Sequence, residues 1–134
     1  MKVEEVMPKE ERMADLRYDG TIRISNPAIV TYPCPLHIDS FPYDVQMCNL
    51  TIGPWNLDIS EVIVKSSVDR IEGVDTQFEG NSEWDLSSIK AFSESKPDFS
   101  DGSVYSVVIY QVELKRKPVY YVLVIQVTQR AIFT

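Results

Sequence analysis

Short runs in which apolar and polar residues alternate, cut at close intervals by turn-forming pairs, constrain this chain more than any other feature. "TIRISNPAIVTY", "LHIDSF", "VQMCNLTIG", "ISEVIVKSS" and "SVYSVVIYQVEL" carry β-branched and aromatic residues at period two, the pattern of half-buried strands. Asp19-Gly20, Asn26-Pro27, Phe41-Pro42, Gly53-Pro54, Gly80-Asn81 and Asp101-Gly102 punctuate them, each pair offering turn geometry that strands cannot use. Short strands at this spacing predict an all-β chain folded as an antiparallel β-sandwich. Residues 68–88 are acidic and rich in turn formers, and "SESKPDFSDG" reads as a polar hairpin tip.

Such a sandwich is thin. The chain has 134 residues, one domain's worth, and residues 1–16 form a charged segment with almost no apolar pattern. The later strands must then supply the core, and a domain that small buries little surface. Twenty acidic residues against thirteen basic ones give a formal charge of −7, which argues against nucleic acid as a partner and favours cationic ligands. A lone His37 with two cysteines lacks the paired spacing of a zinc site. No nucleophile motif and no Gly-rich phosphate loop accompanies it, so neither a metal, a cofactor nor an enzyme is expected.

The two cysteines, Cys34 and Cys48, flank thirteen residues and can close one loop in an oxidising compartment. Asn49-Leu50-Thr51 directly follows, a glycosylation sequon that only a secreted chain would use. The first twenty residues nevertheless lack the apolar stretch of a signal peptide. At the other end, "KRKPVYYVLVIQV" opens an apolar run after basic residues, but Gln126, Gln129 and Arg130 interrupt it. About 20 apolar residues are needed to span a bilayer, so residues 119–134 read as an aborted start of a membrane helix. Both ends suggest part of a longer chain.

Taken together, the cysteine pair with its thirteen-residue interior, the internal Phe41-Pro42-Tyr43-Asp44, and Gln46 just before the second cysteine resemble the signature of the Cys-loop family of pentameric neurotransmitter-gated ion channels. "DGTIRISNPAIVTYPC" and "LTIGPWNLD" are similar to that family's strands entering and leaving the loop. "SEWDL" and "IYQVELKRKPVYYVLVI" are similar to its later strands and its junction with the first transmembrane helix. The likeness runs from about residue 17 to residue 127. It implies an immunoglobulin-like β-sandwich that is incomplete, lacking the N-terminal helix and first strands. Residues 17–118 would then be part of a ligand-binding domain.

The resemblance also implies roles. Cys34 and Cys48 would form the disulfide. Trp55 looks like the agonist-cage aromatic of the acetylcholine-receptor-like, cation-selective branch, suited to an amine because an indole face attracts cations. Tyr105 would be a second cage residue on the hairpin over the agonist, which also carries Tyr110, with Phe92 and Phe99 competing for a third place. A tryptophan in a sandwich is otherwise a core residue. The hairpin tip lacks the adjacent cysteines of principal acetylcholine-binding subunits, which points to a non-α or divergent subunit. A complementary face could come from residues 21–25 and 68–85, which otherwise read as a strand edge and a solvated charged loop. For gating, Asp44 and Arg116 occupy matching positions for an ion pair between the loop and the membrane junction; an Arg fork stays charged and binds a carboxylate through two bonds. Phe41 and Tyr43 would press aromatic surface on the channel, with Pro42 fixing the turn in cis form.

The resemblance therefore implies the extracellular ligand-binding and coupling portion of a transmitter-gated cation channel subunit, inactive by itself. Its partners would be a small cationic neurotransmitter, homologous subunits in a pentamer and the postsynaptic plasma membrane, with the chain on the extracellular side and glycosylated at Asn49. A soluble binding protein of the same fold, or an unrelated secreted β-sandwich adhesion module, are the alternatives. Whether the disulfide closes a loop at one end of the sandwich or links two sheets discriminates the last.

Overall fold

The computed structural model describes residues 1–73, 81–98 and 102–132, with side chains described for all of these except 126 and 129–132. The chain is all-β and antiparallel, as its alternating runs predict, with one α-helix at its described C-terminal end. Two compact units divide between Pro33 and Cys34.

The first unit holds two small antiparallel pairs. Strand β1 (Lys2–Glu5) pairs with β4 (Ala28–Thr31), and β2 (Ala14–Leu16) with β3 (Ile22–Ile24). The β2–β3 turn follows from its residues: Gly20 takes φ 84°, open to glycine at little cost, and Asp19 Oδ1 accepts the Thr21 amide at 2.9 Å. The segment 1–16, read from its charge alone, thus contributes two strands. Ile22 and Ile24, whose alternation predicts half-burial, are 61% and 60% exposed. Each sheet in this unit has only two strands, and a two-stranded pair has no second layer of its own to cover an apolar side.

The second unit is a four-stranded sheet in the order β5-β8-β7-β6. Its spine is a long hairpin of β7 (Trp84–Pro97) and β8 (Val104–Arg116). Val107, Val108, Ile109 and Ala91 form its buried apolar centre. At the tip, Gly102 adopts φ 77° and the Asp98 amide donates to the Ser103 carbonyl at 2.8 Å. Strand β5 (Val45–Ile52) flanks β8, and the short β6 (Arg70–Glu72) flanks β7. The alternation in "VQMCNLTIG" and "SVYSVVIYQVEL" accordingly predicts β5 and β8.

Two other runs do not form strands. "LHIDSF" is loop and turn, with the Phe41 amide bonded to the Ile38 carbonyl. "ISEVIVKSS" follows an Asx turn in which Asp58 Oδ1 accepts the Ser60 amide. It then runs along the sheet: the Ile59 amide donates to the Val104 carbonyl, and the Val64 amide to Ser106 Oγ at 3.0 Å. Local side-chain bonds offer these backbones an alternative to a ladder. Conversely β6 and the first residues of β7 lie in the stretch 68–88, read from its acidity and turn formers.

Helix α1 (Val119–Ile132) begins one residue beyond Pro118, whose carbonyl accepts the Val122 amide at 3.0 Å. No helix among the described residues is long and apolar enough to cross a membrane.

Candidate functional site: a loop clamped to the end of the sheet

The register of β5 against β8 builds the site. Val45 lies opposite Lys115, so Asp44, leaving the loop, arrives beside Arg116, the last residue of β8. The Arg116 amide donates to the Asp44 carbonyl at 3.1 Å, and the side chains repeat the link. Arg116 Nε reaches Asp44 Oδ1 at 2.8 Å and Nη2 reaches Oδ2 at 3.2 Å, with both residues buried.

Further groups surround the guanidinium. Its third nitrogen, Nη1, pairs with the Glu83 carboxylate, and its plane lies 4.0 Å from the centre of the Trp84 ring. Phe41 and Tyr121 stand 5.2 and 5.6 Å away, within cation–π range. The Arg116–Asp44 hydrogen bond holds the Asp44 carboxyl below its ordinary value, aided by Gln46 and opposed by desolvation. The same bond raises Arg116 further above its own. The pair is therefore fully ionised at neutral pH.

Gln46, 1% exposed, ties the loop internally. Its Oε1 accepts the His37 amide at 2.9 Å, while its Nε2 donates to the His37 carbonyl at 2.7 Å and to Asp44 Oδ2 at 2.5 Å. The Cys34–Cys48 disulfide, with Cα atoms 5.4 Å apart, closes the loop onto β5. Cys34 lies outside any strand, so the bridge staples a loop and does not join two sheets. The Phe41-Pro42 peptide is cis. Phe41 packs edge-on against Tyr121 of α1, ring centres 4.7 Å apart, and Tyr43 points outward, 68% exposed. Tyr121 also donates its hydroxyl proton to Glu83 Oε1 at 2.5 Å.

Loop, hairpin and helix thus meet at one buried cation. Glu83, Trp84 and Tyr121 are partners the sequence reading passed over, although "SEWDL" and "KPVYYV" contain them. A Glu-Trp pair at the start of a strand was the available signal.

A second constellation lies toward the hairpin tip. Gly53 ends the run of β5; a Cβ there would stand 2.7 Å from Val107 Cγ1, so glycine lets the chain approach β8 and deliver Pro54 and Trp55. These two, with Tyr105, Val107, Lys96, Pro97 and Asp98, line an open pocket of about 870 Å³. Trp55 is 95% exposed and is no core residue. Trp55 and Tyr105 therefore share a site. Phe92, opposite Ile109 and four positions along β7 from Lys96, does not line it. Phe99 lies outside the described residues. Tyr110 pairs with Leu50 and lines a different, smaller cleft with Ser66, Ile89 and Ala91. Asn49 is exposed, its amide oxygen accepting from Gln111 at 3.2 Å. No metal-holding group of His, Cys, Asp or Glu occurs among the described residues.

The family model described as neurotransmitter-gated ion-channel ligand binding domain matches residues 2–118, a range that takes in β1 and β2. Neuronal acetylcholine receptor subunit alpha-6 of Rattus norvegicus is 32% identical over 109 residues, 79% of this chain and 21% of that protein. Subunit alpha-9 of Gallus gallus is 33% identical over 107 residues, covering 80% and 22%. Subunit beta-2 of Gallus gallus is 30% identical over 110 residues, covering 81% and 21%. The chain spans about a fifth of the length of these relatives.

Proposed function

Because the chain belongs to the neurotransmitter-gated ion-channel ligand-binding domain family, whose members are receptors and not enzymes, we propose that it is the agonist-binding and coupling portion of a cation-channel subunit. In this reading Trp55 and Tyr105 cradle a small cationic neurotransmitter at the open pocket, and the loop 34–48 passes the event to the membrane end. The chain acts beside homologous subunits in a pentamer, extracellular at the postsynaptic plasma membrane, with Asn49 as its glycan site. The absence of adjacent cysteines in "SESKPDFSDGSVY" favours a non-α or divergent subunit.

One observation carries the coupling role: the two-bond Asp44–Arg116 pair joins the loop to the residue two before Pro118, after which α1 begins. A guanidinium enclosed by two carboxylates and three aromatic rings transmits displacement of any one element to the others, because it cannot move without breaking several charge-assisted bonds.

The test is a chimaera in which residues 34–118 replace the aligned stretch of the Gallus gallus beta-2 subunit, co-expressed with a partner subunit. Asp44→Asn and Arg116→Gln should each cut agonist-gated current at least tenfold while surface expression persists, and the double variant should lose no more than either single one. Currents indifferent to both changes would remove the coupling role.

A further inference from the structure

The pocket that holds Trp55 and Tyr105 also carries a fixed cation. Lys96 stands directly opposite Tyr105 in the β7–β8 register, so both side chains leave the same face of the hairpin, and both line the pocket with Trp55. Lys96 is exposed and makes no ion pair among the described residues. Glu94, two positions along the same face, does not pair with it either. Asp98, one residue past the end of β7, lines the same pocket. The wall of the site thus presents an indole face, a phenol ring, one ammonium and one carboxylate.

We propose that the pocket selects a zwitterion: a small molecule bearing both an amine and an acid group, with Lys96 as the specificity-determining residue. This rests on reading the pocket as the amine site. A quaternary or protonated amine seated on Trp55 gains cation–π attraction but leaves the Lys96 ammonium, a like charge on the same wall, without a contact from the ligand. A ligand that also carries a carboxylate gives that ammonium a charge-assisted bond. Discrimination then arises from a contact that Lys96 makes with one ligand and cannot make with the other. Because the pocket is open, solvent screens the pair, and the expected preference is modest, about fivefold.

Choline and trimethylglycine are matched probes, since both carry a trimethylammonium head and only the second carries a carboxylate. Each is titrated at millimolar concentration and low salt into the ¹⁵N-labelled 134-residue chain, following the Trp55 indole N–H, which is identified by its loss in Trp55→Phe. Trimethylglycine should bind about five times more tightly than choline. Lys96→Gln should abolish or invert that ratio and Lys96→Arg should keep it, each with an otherwise unchanged spectrum. Equal or tighter choline binding by the parent chain overturns the zwitterion proposal while leaving the amine site intact. If neither probe moves the Trp55 signal, the amine-site reading fails and the proposal with it. A ratio unaffected by Lys96→Gln assigns the selectivity to another residue and refutes the role of Lys96.

Discussion

The loop junction and the aromatic pocket sit at opposite ends of one hairpin, and they are built by opposite rules. At the junction, Arg116 is 5% exposed and bound by Asp44, Glu83 and the ring of Trp84. At the pocket, Trp55 is 95% exposed and Lys96 has no ion-pair partner among the described residues. Buried charge must be satisfied within the chain, because desolvation without partners costs several kcal/mol. Exposed aromatic and cationic groups carry no such requirement and remain available to a ligand. The contrast separates a joint that holds its geometry from a surface that waits for an occupant.

The sharpest way to break this contrast is to remove the cation at the joint. Arg116→Ala should leave Asp44 buried and unpaired and lower the thermal midpoint by at least about 5 °C, since around 1 kcal/mol already shifts a domain of this size by several degrees. A loss under 1 °C, measured by circular dichroism melting, would mean that the joint contributes little to the fold.

Acid acts on the same joint by a smaller step. The folded-state value of Asp44 lies below the ordinary 3.8, so its contribution is complete above that pH and is lost as pH falls through the depressed value. Stability should therefore be flat with respect to this group from pH 5 to 8. Below about pH 4 it should decline, and Asp44→Asn should flatten that acid limb. An unchanged limb in the variant would assign the acid sensitivity elsewhere.

At the pocket the expectation is near zero. Trp55→Ala should change stability by no more than about 0.5 kcal/mol, as for surface substitutions generally, while abolishing the shift that trimethylammonium probes cause at the Tyr105 backbone amide. A large loss of stability in denaturant titration would return Trp55 to the role of a packing residue.

How much of this was legible in the chain differs between the two ends. Cys34 with Cys48, the Phe41-Pro42-Tyr43-Asp44 run and the stretch around Arg116 are short motifs, and the family resemblance pointed from them to the disulfide and to the Asp44–Arg116 pair that the structure contains. Glu83 and Tyr121 could not be reached this way, because no motif marks them: Glu83 joins Arg116 from 33 residues away in sequence, and Tyr121 is tied in by its bond to Glu83, 38 residues from it. Period-two alternation marked β5 and β8, yet it misled for "LHIDSF", where side-chain bonds from Gln46 hold the backbone in a loop. It also predicted half-burial for Ile22 and Ile24, which alternation alone cannot secure without a second layer.

The sequence by itself determined the all-β class, the disulfide-sized cysteine spacing, the family likeness and the residue types from which a joint and an aromatic site could be made. These are local or compositional properties, written in neighbouring residues. Only the tertiary structure decided that Trp55 meets Tyr105 and Lys96 while Phe92 does not, and that a single guanidinium gathers loop, hairpin and helix. Those outcomes depend on strand register, where a shift of one residue sends every side chain to the other face. Register is fixed by the whole sheet, not by any one of its strands.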